Sequence, residues 1–287
     1  MSEIKRKQRS QWEDVWVRFR KNKTAMAGFI IIIILILTAI FADVIAPEGI
    51  DAQNLDNALQ RPNANNLLGT DNLGRDMLSR IIYGSRTSLQ VGFIVVGVSM
   101  LVGIFLGSLS GFYGGMLDNA IMRGIDILLA IPSILLAIAI ASALGPGLFN
   151  VMLAVGISTI PSCARVVRAA VLSIREQEFI EAARAIGCND FRIITRHILP
   201  NCTAPIIVQA TLGLAGAILS AAALSFIGLG ITPPTPEWGF MLSVGRRYFR
   251  DFPHLSIFPG LAIVIVVLAL NMMGDGLRDA FDPKLKK

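Results

Sequence analysis

Residues 25–46 read AMAGFIIIIILILTAIFADVIA, with no charge before Asp43. An α-helix rises about 1.5 Å per residue, so about 20 apolar residues cross a hydrocarbon core of about 30 Å. This stretch is long enough, and it outruns the roughly 7–15 apolar residues of a secretory leader. It reads as a retained first membrane span. The composition agrees: apolar residues make up 54% of the 287-residue chain and charged ones 16%, where a soluble domain carries about 25%. Mean hydropathy is +0.63. The expected fold class is all-α, a polytopic membrane bundle of about six transmembrane helices.

Five further spans are expected at 89–110, 121–144, 148–167, 205–227 and 256–273. Pro161 interrupts the span at 148–167, which a bundle tolerates where neighbours satisfy the freed backbone groups. Basic residues set the orientation. Lys5, Arg6, Lys7, Arg9, Arg18, Arg20, Lys21 and Lys23 precede the first span. Arg165, Arg168, Arg175, Arg184, Arg192 and Arg196 gather between the fourth and fifth, and Arg278, Lys284, Lys286 and Lys287 follow the sixth. Cytoplasmic loops are rich in Lys and Arg, which places both termini in the cytoplasm. Arg246, Arg247 and Arg250 break the trend by falling on the outer side. The net charge of +6 belongs to such loops and does not imply nucleic acid.

The chain divides into a cytoplasmic segment over 1–24, the first span over 25–46 and an external loop over 47–87. A core of five spans over 88–276 and a tail over 277–287 follow. In the first segment Trp12, Val15, Trp16 and Phe19 share one helical face beside Arg18, Arg20, Lys21 and Lys23. That pattern fits a helix against membrane lipid, or one packed on the protein's own surface. In the external loop, residues 76–82 fit a short helix. Gly103, Gly107 and Gly111 recur at intervals of four in the second span, the spacing that lets two helices approach closely in lipid.

Several chemistries are excluded. Asp43, Asp118, Asp126 and Asp275 all fall near predicted span ends. A carrier driven by protons or sodium needs an ionisable site near the midplane, so a stand-alone secondary transporter is disfavoured. No phosphate-binding loop ending in Lys-Ser or Lys-Thr, no H-E-x-x-H and no G-x-S-x-G occurs, so no catalytic set and no ATP site of that kind is expected. Cys163, Cys188 and Cys202 form no C-x-x-C pair, and His197 and His254 have no nearby ligand set and read as surface or interface residues. No metal site is expected. If transport through this chain is active, a partner supplies the energy.

The longest segment on the inner side is 168–203. Within it 177–186 reads as a short helix, with Glu178, Glu181 and Arg184 on one side and Phe179, Ala182, Ala183 and Ile186 on the other. Gly187 stops it, as a glycine just past a helix does. A second helical stretch, 190–199, runs into Pro200. Here the sequence resembles a family. Glu181-Ala182-Ala183, three residues, Gly187, then Leu199-Pro200 match the EAA loop of type I ABC importer permeases, with His197 at the position of the usual Ile. LLGTDNLGRDMLSRIIYGSRTSLQVGF (67–93), SFIGLGITPPTPEWGFML (225–242) and NMMGDGLRDAFDPKL (271–285) resemble the dipeptide/oligopeptide/nickel group, C-type subunit.

The resemblance implies a multi-pass subunit of a bacterial or archaeal cytoplasmic membrane. Its partners would be a second permease chain, two ATP-binding subunits that hold the ATP, and an extracytoplasmic solute-binding protein. Glu181, Ala182, Ala183 and Gly187 would form the ATPase-coupling site. Trp238, Arg246, Arg247 and Arg250, on the outer side against the positive-inside trend, are either a contact for acidic residues of that binding protein or a tolerated charge cluster. PPTPEWG (233–239) is closer to the peptide branch than to the nickel or metal-chelate branch. The substrate-binding residues are not read from the sequence.

Overall fold

A computed structural model describes residues 11–231 and 233–282. Lys5, Arg6, Lys7, Arg9, Lys284, Lys286 and Lys287 lie outside them. The described residues are almost wholly helical: α1 (Gln11–Lys21), α2 (Lys23–Ile40), α3 (Ala42–Ile45), α4 (Met77–Tyr113), α5 (Gly115–Leu129) and α6 (Ser133–Leu144). Then come α7 (Leu148–Arg175), α8 (Glu178–Ala185), α9 (Asp190–Ile193), α10 (Thr203–Phe226), α11 (Trp238–Arg246) and α12 (His254–Phe281). A π-helical turn, Ile194–Ile198, and a 3₁₀ turn, Leu199–Cys202, join α9 to α10. Pro200 has no amide to give the carbonyl four residues back, so the ladder changes register there rather than breaking. Helical backbone therefore runs from Asp190 to Phe226.

Five helices are long and apolar enough to cross a membrane, and α5 with α6 supplies a sixth crossing if the bent pair is one span. That pair departs from the straight helix expected at 121–144, because its axis turns by 85°. Pro132 caps α6, and the residue before a proline is pushed out of helical geometry.

The second span also differs from expectation. It begins at Met77, so the helix foreseen at 76–82 is the first turns of α4 and the connecting segment ends at Asp76. Asp76 caps it, accepting from the Ser79 amide at 2.7 Å and its hydroxyl at 2.8 Å.

The glycine stripe packs α4 on α7. A Cβ at Gly103 would lie 2.5 Å from the Cys163 sulfur, and one at Gly107 2.6 Å from the Ala164 carbonyl oxygen. One at Gly111 would lie 2.9 Å from Val171. Any side chain there would push the helices apart, so these residues are packing surface. The main apolar cluster runs through α4, α6, α7 and α10 and takes in Ile180 and Ala183 of α8. A second joins α2, α10, α11, α12 and the start of α4.

α1 packs on the protein's own surface, as one reading of its pattern has it. Phe19 is buried in a small cluster with Ala25 and Ala280, while Trp12 and Trp16 stay half exposed. His254, expected at a surface or interface, is buried beneath the backbone of Gly69.

Candidate coupling site

α8 and its flanks project from the end of the bundle that also carries α1 and the last turns of α4, α7 and α12. Ile180 and Ala183 face inward and are buried in the apolar cluster that also takes in Phe112, Val167 and Val171. Glu181 and Ala182 are exposed. The expected faces are thus corrected. Ala183 belongs to the inward side, one residue after an outward Ala182, because consecutive helical residues are about 100° apart. Phe179 and Ile186 join the outward side.

The helix closes in a Schellman motif. The Gly187 amide donates to the Arg184 carbonyl at 2.9 Å and the Cys188 amide to the Ala183 carbonyl at 3.1 Å. Gly187 has φ +83°, and a Cβ there would meet nothing within 4 Å. The glycine is required by backbone conformation rather than by space.

Two contacts tie this segment to the long helices. The Arg184 guanidinium lies 5.3 Å from the centre of the Phe112 ring. Arg175 donates to the Gly111 carbonyl at 2.9 Å. Beside them opens a polar recess of about 590 Å³ lined by Arg175, Glu176, Glu181, Arg184 and Asp190. Three carboxylates against two guanidiniums leave it one negative charge, which suits a basic side chain from a partner. Around α8 three large apolar residues stand in the open: Phe179 at 39%, Ile186 at 81% and Phe191 at 77% exposure. Neither Ile186 nor Phe191 is in the motif, yet the motif's spacing brackets both. Their signal is an apolar residue on either side of a helix-stopping glycine.

Deeper at this end, α5 is strapped to α7 by ion pairs. Arg168 donates to Asp118 at 2.6 and 2.7 Å, with the Ser110 hydroxyl on the same carboxylate. Arg165 reaches Asp126 at 2.8 Å.

At the opposite end the residues expected as one contact patch separate. Trp238 is 1% exposed, and its indole donates to the Ile81 carbonyl at 3.1 Å. It is a core residue that fastens α11 to α4, and no partner reaches it. Neighbouring Glu237 caps α11, accepting from the amides of Gly239 and Phe240, each at 2.8 Å. Burial pushes its carboxyl above the usual range, against the pull of those amides. Arg246, Arg247 and Arg250 are exposed, with Arg246 5.0 Å from the centre of the Phe226 ring.

Residues 99–287 match the family model described as binding-protein-dependent transport system inner membrane component. Residues 10–62 match that of the N-terminal TM domain of oligopeptide transport permease C. The chain is 52% identical over 277 residues to the dipeptide transport system permease protein DppC of Alkalihalophilus pseudofirmus, covering 96% of this chain and 91% of that protein. It is 46% identical over 283 residues to the di/tripeptide transport system permease protein DppC of Pseudomonas aeruginosa, covering 96% and 93%. It is 47% identical over 281 residues to the glutathione transport system permease protein GsiD of Escherichia coli, covering 97% and 92%. Among solved structures, a chain of the MetNI methionine ABC transporter superposes with a TM-score of 0.58 at 21% identity. It covers 72% of this chain and 98% of that one, a likeness of fold.

Proposed function

The chain belongs to the family of binding-protein-dependent transport system inner membrane components, and from that premise we infer that it is the permease subunit of an ATP-driven importer of di- or oligopeptides. Relatives that share about half its residues carry dipeptide, di/tripeptide and glutathione permease names, and that favours peptides over a metal chelate. ATP-binding subunits and a binding protein are the partners such a family implies. A second permease chain and two ATP-binding subunits complete the assembly proposed here, with ATP held by those subunits and none of the chemistry done by this chain.

The observation that carries the reading is the exposed coupling helix. Glu181 and Ala182 present a polar acceptor and a small surface to a partner, while Ile180 and Ala183 root the helix in the bundle core. A force applied to α8 therefore reaches α4 and α7 through packed side chains. This end faces the cytoplasm, with both termini. It holds Arg18, Arg20, Lys21, Lys23, Arg192 and Arg196, and the opposite end's cations are largely engaged. There Arg75 and Arg80 are buried on Asp71, Arg86 pairs with Asp43 and Arg246 covers a ring. Arg247 and Arg250, exposed beside Arg246, then remain as the surface for an acidic patch on the binding protein. Reversing the charge of Arg247 and Arg250 should weaken capture of that protein and flatten its salt dependence.

The test is purification in mild detergent followed by reconstitution into vesicles. Recovery with ATP-binding subunits and a second permease, and peptide uptake only with ATP and binding protein, is the expected result. Uptake by this chain alone would overturn the proposal.

A further inference from the structure

α1 is split in charge along its length. Glu13 and Asp14 lie in its first turn, Arg18, Arg20 and Lys21 in its last, and Lys23 follows at the start of α2. Its apolar face does not fully close on the bundle. Between α1 and the neighbouring ends of α2, α10 and α12 lies a trough of about 240 Å³, lined by Val15, Trp16, Phe29, Ile207, Leu277 and Phe281 among other apolar side chains. Arg18, outside the trough, is already engaged, donating to the Asp282 carbonyl at 3.3 Å. Arg20 and Lys21 are not turned into the bundle. They are exposed and line a second, open recess whose wall is again Trp16. A greasy slot and a cationic recess thus share one tryptophan. Trp12 and Trp16 remain 55% and 48% exposed, and tryptophan is the side chain enriched where hydrocarbon meets headgroups.

A soluble partner would have to match an apolar slot and a cationic recess at once. A phospholipid matches it without adjustment, with a chain for the slot and a phosphate for the recess. We propose that this site binds one anionic phospholipid, an acyl chain lying in the trough against Trp16, Ile207 and Leu277 and the headgroup phosphate held by Arg20 and Lys21. The occupant joins α1 to the ends of α10 and α12, and so supports the helix that continues directly from the coupling segment. It needs no particular cargo and goes beyond the assignment of function above.

The experiment is native mass spectrometry of the full chain, with whatever partners co-purify, after exchange into detergent containing equimolar phosphatidylglycerol and phosphatidylcholine. The wild type should retain phosphatidylglycerol preferentially. Each basic side chain near an anionic lipid surface contributes about fivefold, so R20Q/K21Q should lower that preference by about thirtyfold. Ile207→Trp, which fills the trough and leaves the charges, should lower retention of both lipids. The three altered positions lie outside the buried clusters, and unchanged helix content by circular dichroism checks that the fold is kept. Equal retention of the two lipids by the wild type overturns the proposal. So does an unchanged preference in R20Q/K21Q, or displacement of the lipid by inorganic phosphate alone, which would leave only a site for a free anion.

Discussion

The two ends of this molecule are built to opposite rules. At the α11 end the segment between α3 and α4 is tied down by buried polar groups. Asp71 takes Arg75 at 2.7 Å and Arg80 at 3.5 Å, all three nearly closed to solvent. Asn66 donates to Asp76 at 3.1 Å, and Trp238 locks α11 to α4. At the α8 end the connecting segment keeps Ile180, Ala183, Ile193 and Ile198 buried and exposes most of the rest. One end is a rim closed by buried polar bonds, and the other, the proposed handle, has a rooted inner face and a free outer one. A part that must be gripped and moved cannot be held by the same buried network that fixes a rim, because such networks have one low-energy arrangement.

The contrast is broken most directly at Trp238. Trp238→Ala removes a fully buried indole and should cost about 4 kcal/mol, read as a large drop in melting temperature of the detergent-purified protein. Trp238→Phe keeps most of the packing and loses the bond to Ile81, and should cost about 1 kcal/mol. Were the two variants equally mild, the rim would not be the rigid end.

Asp71→Ala comes next, at about 3 kcal/mol, because it leaves Arg75 and Arg80 buried without their carboxylate. Combining Arg80→Met with Asp71→Ala should restore part of the loss, since removing both partners is less costly than removing one. Equal melting temperatures for the wild type and Asp71→Ala would mean that water already reaches the pair.

How much of this contrast the sequence shows differs between the ends. The handle is legible, because a glycine with positive φ, a short amphipathic helix and a charge-rich flank leave local signals. The rim is not. Hydropathy marks where lipid touches a helix, so it places the second span from 89, whereas α4 starts at Met77 and its first turns are stabilised by Asp71, Asp76 and Trp238. Those partners are distant in sequence or polar, and neither shows in a local window. Trp238, in the same outer segment as Arg246, Arg247 and Arg250, reads as surface for the same reason. The 85° turn between α5 and α6 has a visible cause in Pro132, but an uncharged and mostly apolar stretch from 127 to 144 hides it from any scale that counts apolarity alone. The faces of α8 slip because Ala182 and Ala183 are chemically alike and only packing distinguishes them.

Gly187→Val tests the handle's shape. Holding a β-branched residue at φ +83° costs about 1–2 kcal/mol, which the segment relieves by giving up its Schellman turn. The whole protein should lose little stability, with melting shifted less than in Asp71→Ala. Peptide uptake per ATP hydrolysed should fall sharply, measured in vesicles with the assembled transporter. Unchanged stoichiometry would show that the turn carries no force.

Glu181→Ala should have the smallest effect on the fold and gives the sharpest division between the ends. The side chain is exposed and borders the negative recess, so its removal should change stability by less than about 0.5 kcal/mol. Ala183→Leu, on the opposite face of the helix, is the contrasting change. It inserts bulk between α8 and the cluster of Val167, Val171 and Phe112, and overpacking of that kind costs about 1–3 kcal/mol. If the handle is gripped from outside and rooted from within, Glu181→Ala should weaken association with the ATP-binding subunits at unchanged melting temperature. Ala183→Leu should lower the melting temperature first. The reverse result, a destabilised Glu181→Ala or an Ala183→Leu that loses only its partner, would exchange the two faces of α8 and remove the route by which force on the loop reaches α4 and α7.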